Sequence, residues 1–481
     1  MKIRRSILLV LSALLPLFSS AQEMAFRAFL SDSIMQHGAV SFMIIDASDG
    51  SPVFSHEEKR SLVPASVMKL VTTAAAIELL GPDYTFKTQF GYRGKISRLF
   101  KILEGDIIIH GGGDPVLGSN RFTGHYEGFA DKWIEELKIL KIKDVTGRVI
   151  TDDSYYDYLP VPAKWLWEDA GNYYGAGAYG LSIFDNTYEI HLTISPDTSR
   201  LYITGITPSE CTFEFSNWLV AAGTADEGYV FAAPYSTNGW LAGSIPSNLN
   251  DFTLKASIAD PPLIMAKLID QKMRDKGIGA DGKPTTARLL KVRSEIPFIK
   301  IAETTSPPLS GIIEILNHES VNLYAEHLVK EIGKVYRKSG STEKGIECIM
   351  EYLELSGIST EGVFIVDGSG LSPLNAINAE SVTAILYHMK HHAKYFDQFY
   401  SSLPDAGKEG TLKRYFQEPA FDGNMRAKSG SMTRVRSYAG FIRADSGKEL
   451  IFCIIVNNYS GPHQKVVTQI EEILRETIKS N

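Results

Sequence analysis

Cysteine is scarce in this chain: Cys211, Cys348 and Cys453 are the only three among 481 residues. They are far apart and odd in number, which excludes a disulfide framework and a closely spaced thiolate metal site. Cys348 and Cys453 lie in apolar helical or strand contexts and read as buried filler. Long apolar runs are missing as well. Beyond the first residues, no stretch approaches the roughly 20 residues needed to span a bilayer. Strong charge of one sign is also lacking. Lys and Arg number 49 against 56 Asp and Glu, a formal −7. That mildly acidic balance argues against nucleic acid as a partner. There is no internal repeat and no low-complexity tract, so fibrous and disordered classes are excluded.

The chain is too long for one compact core, so two or more domains are expected. Lys2, Arg4 and Arg5 precede a short apolar run from Ile7 to Phe18, and Ser19-Ser20-Ala21 offers small residues for cleavage. Residues 1–21 therefore read as a signal peptide, and the mature protein as exported, periplasmic or extracytoplasmic, with no membrane segment left. Its removal takes three basic and no acidic side chains, moving the formal charge from −7 to about −10.

Val40–Ile45 reads as a strand, with Ser51–Phe54 returning after the Asp49-Gly50 turn. Pro64 opens a helix, apolar nearly all round, that runs to about Leu80 and is stopped by Gly81-Pro82. From residue 90 to 299, short alternating runs between Gly, Pro, Asn and Asp clusters read as mostly β, with one helix at Pro262–Lys276. Helical spacing returns at Leu323–Val335, Thr342–Leu355 and Ala379–Lys394. A hairpin, Arg436–Arg443 and Leu450–Asn457, and a helix over Val466–Ile478 close the chain. The expected fold class is α/β (α+β). The two ends, 22–89 and 300–481, form one unit, and 90–299 is a large insert, expected to comprise two subdomains.

Three short stretches carry chemistry in this order. In Ser66-Val67-Met68-Lys69 a hydroxyl opens a helix and an amine sits three residues on, on the same face. The helix N-terminus favours negative charge developing there. Lys69 can accept the Ser66 proton only when neutral, and burial or a nearby cation pushes it that way. Ser320-Val321-Asn322 runs into a helix. It reads either as an ordinary N-cap or as a hydroxyl that relays a proton to a leaving amine beside an amide that holds the acyl side. In Lys428-Ser429-Gly430, Lys428 and Ser429 suit a terminal carboxylate. Gly430 allows close approach, and a strand edge through Ser431 can offer a backbone N–H to an oxyanion. Each pattern has a decoy. Ser341-Thr342-Glu343-Lys344 reads as a helix cap, Ser236-Thr237-Asn238 as a turn, and Lys338-Ser339-Gly340 as a helix end.

Taken together and in order, the three stretches resemble those of the penicillin-recognising serine acyl-transferases. With Gly111-Gly112-Gly113-Asp114-Pro115, Asp152-Asp153-Ser154-Tyr155 and Asp367-Gly368-Ser369-Gly370-Leu371-Ser372, the chain is similar to one branch of them. That branch is the class C low-molecular-mass penicillin-binding proteins, the D-alanyl-D-alanine carboxypeptidase/endopeptidase family. The resemblance implies a transpeptidase-like, β-lactamase-like domain split by the insert, and cleavage of peptidoglycan stem peptides and cross-links. It implies an acyl-enzyme on Ser66 with Lys69 as base and Ser320 and Asn322 assisting. Lys428 and Ser429 would hold the substrate carboxylate, and the N–H groups of Ser66 and Ser431 would form the oxyanion hole. It implies acylation by β-lactams and no metal or organic cofactor. The chain carries Ser429 where Lys-Thr-Gly is commoner, which keeps the hydroxyl. A binding module without turnover and a β-lactamase or esterase on the same scaffold are the alternatives.

Trp165, Trp167, Glu168 and Asp169, with Tyr173 and Tyr174, form an aromatic and acidic cluster in the insert. It reads either as packing between insert and core or as a wall for the zwitterionic end of a diaminopimelate side chain, with an acid pairing its amine. Carboxypeptidase and endopeptidase action share one acyl-enzyme and are not separated by the sequence.

Overall fold

The computed structural model describes residues 21–194, 201–292 and 295–481. All but the last residue of the expected signal peptide lies outside them. Ala21 itself begins a helix, Ala21–Ser31.

The chain ends build a five-stranded antiparallel sheet in the order Met425–Met432, Val435–Arg443, Glu449–Asn457, Ala39–Asp46, Pro52–His56. Its central strands are covered on both faces, which is why they read as continuous apolar runs rather than as an alternation. Phe42, Ile44, Ile454 and Val456 face the Ala21–Ser31 and His463–Ser480 helices through Phe26, Phe29, Ile470 and Leu474. Met43, Ile45, Cys453 and Ile455 face the other way, into the main core with the Met68–Leu80, Leu309–Glu319, Asn322–Arg337, Thr342–Leu355 and Ala379–His391 helices. Period 2 along each strand thus sorts the two layers.

The insert has two bodies. A seven-stranded sheet includes Lys87–Ser97, Ile102–His110 and Ile299–Thr305. Its first strand in the chain begins before residue 90 and its last ends after residue 300, so the sheet reaches a few residues past the insert limits read from the sequence. Two helices cover it, Phe129–Ile139 and Pro261–Asp275. The first was not expected from the sequence. Phe90, Ile107, Trp133 and Ile134 join the same apolar core as the Met68–Leu80 helix. The second body packs a three-stranded sheet against a four-stranded one around its own core of Ile190, Leu192, Val230, Leu241 and Leu254.

The Asn322–Arg337 helix is the seam between insert and core, and its insert-facing side chains are polar. Tyr324 Oη donates to Asp185 at 2.6 Å, and Lys330 Nζ donates to Asp157 at 2.7 Å. Glu331 accepts from the hydroxyls of Tyr84, Tyr155 and Tyr156 at 2.5, 3.0 and 2.6 Å. His327 contacts Ser182 Oγ and the Gly113 carbonyl, both at 2.9 Å. Burial holds His327 down at about 3, so it stays neutral. Buried polar groups paired this completely fix one arrangement of insert on core.

Candidate active site

Ser66 lies in a single 3-10 turn, Ala65–Val67, that runs directly into the Met68–Leu80 helix. The expected helix start at Pro64 is therefore replaced by a tighter bend. Ala65 has φ of 46°, a left-handed conformation that costs a Cβ-bearing residue about 1–3 kcal/mol. Neighbours hold the bend in place. The Pro64 carbonyl accepts from Ser437 Oγ at 2.5 Å. Gly370, itself at φ 79°, lies so close that a Cβ there would sit 1.9 Å from the Ala65 carbonyl oxygen.

The three stretches meet around the Ser66 hydroxyl. Lys69 Nζ donates to Ser66 Oγ at 2.8 Å, to Asn322 Oδ1 at 2.6 Å and to the Ser369 carbonyl at 2.7 Å. Its side chain is fully buried. Burial pushes the amine down to about 7, while Asp367 and Glu326 pull it back up. Lys428 Nζ donates to Ser320 Oγ at 2.9 Å and to the Ser429 carbonyl at 2.8 Å. Burial, with Lys69 and Arg436 nearby, holds Lys428 well below the usual lysine range. An amine near neutrality can take a proton from a hydroxyl, and Lys69 is so placed at Ser66.

Ser320 is not the N-cap that its sequence context allows. It ends the Leu309–Glu319 helix in a left-handed conformation, φ 59°, and Val321 begins the next helix. The corner between the two helices turns the Ser320 hydroxyl to Lys428 and leaves Asn322 in the first helical turn. The Asn322 amide is fixed from both sides, by Lys69 at its oxygen and by the Tyr174 carbonyl, which accepts from Nδ2 at 2.8 Å.

Lys428, Ser429, Gly430 and Ser431 lie on Met425–Met432, the edge strand of the five-stranded sheet. The Ala427 N–H donates outward to the Pro404 carbonyl. Alternation along an antiparallel strand aims the Ser429 and Ser431 amides at the same open edge. Ser429 Oγ donates to Thr411 Oγ1 at 2.7 Å. A Cβ on Gly430 would meet Ser437 Oγ, the Pro64 carbonyl and the Ser66 nitrogen, at 2.3, 2.5 and 3.0 Å. The close approach that Gly430 permits is therefore between this strand and the Ser66 turn.

Sequence reasoning left several groups out. Thr411 comes from an unpatterned loop. Arg436 is buried on the neighbouring strand, where it donates to Tyr438 Oη. Beneath Lys69, Glu326 accepts from the Gly368 and Ser369 amides at 3.2 and 2.8 Å. Asp367 accepts from the Gly370 and Ser372 amides, Asn375 Nδ2 and Trp165 Nε1, all within 2.9 Å. Burial and Asp367 raise Glu326 to about 7. The Asp367–Ser372 run is the signal that the sequence carries for this part of the site.

The insert cluster divides. Trp165 is buried against Asp367 and belongs to packing between insert and core. Asp169 is also buried, with Oδ2 unpartnered, and burial next to Glu168 raises it to about 6. Trp167 and Glu168 face solvent. A cavity of about 580 Å³ opens beside Ser320 and Asn322, walled by Tyr173, Tyr174, Tyr229 and Lys255. A larger one, about 660 Å³ between residues 118–131 and Lys272, contains none of the three stretches. The described residues include no cluster of three or more His, Cys, Asp or Glu side chains suited to a metal ion, and no helix long and apolar enough to cross a membrane.

With this geometry in place, comparison with known proteins is decisive. The model of the D-Ala-D-Ala carboxypeptidase 3 (S13) family matches residues 23–477. The chain belongs to that family. Among its relatives, the D-alanyl-D-alanine carboxypeptidase of an Actinomadura species is 28% identical over 455 residues, 90% of this chain and 80% of the relative. The D-alanyl-D-alanine carboxypeptidase DacB of Haemophilus influenzae is 23% identical over 463 residues, 95% of this chain and 92% of the relative. The crystal structure of penicillin binding protein 4 from Haemophilus influenzae matches with a TM-score of 0.80 at 21% identity. It covers 92% of this chain and 97% of that one, which establishes a shared fold across nearly the whole S13 chain.

Proposed function

We propose that this S13 family member is a serine-type D-Ala-D-Ala carboxypeptidase and DD-endopeptidase acting on peptidoglycan stem peptides through an acyl-enzyme on Ser66. The observation that carries the reading is the contact of the buried, near-neutral Lys69 amine with Ser66 Oγ. Lys69 takes the hydroxyl proton as Ser66 Oγ attacks the carbonyl carbon of the penultimate D-alanine. The oxyanion is met by the N–H groups of Ser66 and Ser431, the latter on the open strand edge. The proton that Lys69 has taken is passed on through the Ser320 hydroxyl to the leaving amine, which departs as free D-alanine or as the amino side of a cross-link, and Lys69 is neutral again. Water then resolves the ester, returning the hydroxyl to Ser66 and the acyl group as a carboxylic acid.

Lys428 has an electrostatic task. Alone it is held towards neutrality by burial, with Lys69 and Arg436 adding to it. The terminal carboxylate of an arriving peptide supplies the missing negative charge, with Ser429 and Thr411 as hydroxyl partners. Asn322, pinned between Lys69 and Tyr174, presents its amide to the acyl side. On the insert side, the unpartnered Asp169 oxygen supports an acid that pairs with a side-chain amine of the stem peptide. The signal-like N-terminus and the wall substrate together support an extracytoplasmic site of action. The proposed domain division is a catalytic unit from both chain ends and an insert of two bodies.

Release of D-alanine from a soluble pentapeptide ending in D-Ala-D-Ala tests the reading. The wild-type protein is expected to release it and Ser66→Ala is not. Peptide binding without release would favour a module that has lost turnover. Rapid penicillin hydrolysis with no D-alanine release would favour a β-lactamase.

A further inference from the structure

The exposed face of the four-stranded sheet in the second insert body carries a row of aromatic rings that the reaction at Ser66 does not use. Trp240 and Phe231 stand opposite each other on neighbouring strands, their rings 5.3 Å apart and 11° from parallel. Trp167 lies 6.0 Å from Trp240, and Tyr229 lies 6.3 Å from Phe231. Trp167, Trp240 and Tyr229 are 53%, 40% and 38% exposed. The opposite face of the same strands supplies Val230 and Leu241 to a closed core, so these rings do not support that core. A contiguous exposed apolar patch of this kind marks a binding surface.

The row is continuous with the cleft. Tyr229, at one end, lines the 580 Å³ cavity that Ser320 and Asn322 border. The segment carrying Trp167 is fastened to the same strand, because Val230 N–H donates to Asn172 Oδ1 at 3.1 Å. Two residues on, the Tyr174 carbonyl holds the Asn322 amide. Polar side chains border the rings: Glu227 and Ser244 beyond Tyr229, and Ser216 and Asn238 beside Trp240.

We propose that this platform binds the glycan strand from which the stem peptides hang, stacking the rings of β-linked N-acetylated hexosamines. The inference rests on the peptidoglycan reading given above. A hexosamine ring has one face of C–H bonds, which stacks on an aromatic surface, and an edge of hydroxyl and acetamido groups, which pairs with flanking carboxylate, amide and hydroxyl groups. The platform offers both, in that arrangement, beside the peptide cleft. A purely apolar partner would leave the polar border unpaired.

Two substrates test it side by side: a soluble pentapeptide without sugar, and intact cross-linked sacculi. Trp240→Ala is expected to keep D-alanine release from the peptide and to lose about five- to tenfold in muropeptide release from sacculi, the range of one aromatic contact. Trp240→Phe, which keeps a ring, is expected to recover most of that loss. Chitotetraose, a peptide-free β-linked N-acetylglucosamine oligomer, is expected to quench tryptophan fluorescence in the wild type and less in Trp240→Ala. Equal activity of Trp240→Ala and wild type on sacculi overturns the platform, as does an equal loss on both substrates. Conversion of a dimer to a monomer by Trp240→Ala, with sacculus activity intact, also overturns it and assigns the face to a second copy of the chain. Failure of the wild type to release D-alanine from the peptide is a different result, which overturns the acyl-transfer reading itself.

Discussion

On the wall built by the Met68–Leu80 helix and the Met425–Met432 strand, the polar groups are few, buried and tied to one another. Lys69 and Lys428 are fully buried, and each has specified partners. On the wall contributed by the insert, the polar and aromatic groups are numerous and half-exposed, and they reach the site through backbone, as Tyr174 does at Asn322. The first wall can shift proton affinities because burial is costly for charge. The second can shape and extend a surface but has little leverage on proton transfer. The comparison teaches where each kind of substitution should act: rate and pH on the core wall, substrate size and form on the insert wall.

The hardest blow to that division comes from Lys69→Met, which keeps the volume and removes the base. Acylation by penicillin is expected to slow about 10²- to 10⁴-fold, the range for a positioned general base, read by the rate of labelled adduct formation. A loss under tenfold would place proton transfer elsewhere. Lys428→Met is expected next, lowering kcat/KM for the pentapeptide about 10- to 100-fold, as loss of a hydrogen bond to a charged group implies. A pentapeptide amidated at its C-terminus should show a much smaller difference between wild type and variant, because the carboxylate partner is gone.

The seam between the walls is tested by Tyr156→Phe, which removes one of three hydroxyl donors to Glu331. The expected loss is about 1.5–3 kcal/mol of stability in denaturant unfolding, with penicillin acylation unchanged at 25 °C. A change in acylation would mean that the seam reaches into the chemistry.

The smallest effect is also the most specific. A lysine is a base only when deprotonated, so acylation is expected to rise as the pH increases through about 7, where burial holds Lys69. The groups facing that amine are Glu326 and Asp367, which favour its charge, and Lys428, which opposes it. In Glu326→Gln one favourable charge is lost, so the midpoint should move to lower pH, while the amide oxygen can still accept from the Ser369 N–H. A midpoint that stays or rises would remove Glu326 from the account.

Much of this was readable before any fold was known. Ser66 and Lys69 could be paired because three residues along a helix is a fixed distance. Lys428 to Ser431 could be put on a strand because a hairpin plainly follows. The strands Ala39–Asp46 and Glu449–Asn457 were legible from unbroken apolar runs. What escaped were contacts made across the chain. Thr411 meets Ser429 through a loop with no pattern of its own, and Arg436 reads as an ordinary strand residue until the sheet sets it near Lys428. Glu326 resembles a surface helix residue until the Gly368 and Ser369 amides close over it. The Phe129–Ile139 helix was missed because its short amphipathic run sits among turn-rich β segments. For Ser320 the sequence allows a cap of the following helix or a catalytic hydroxyl, and nothing local to it reveals that it closes the helix before.

The most direct measurement is the mass of the intact protein, and of its proteolytic fragments, after brief exposure to benzylpenicillin. The account predicts one adduct per chain, on the peptide containing Ser66, absent in Ser66→Ala and slow to form in Lys69→Met. An adduct on any other residue, or one that forms as readily without the Ser66 hydroxyl, would contradict it.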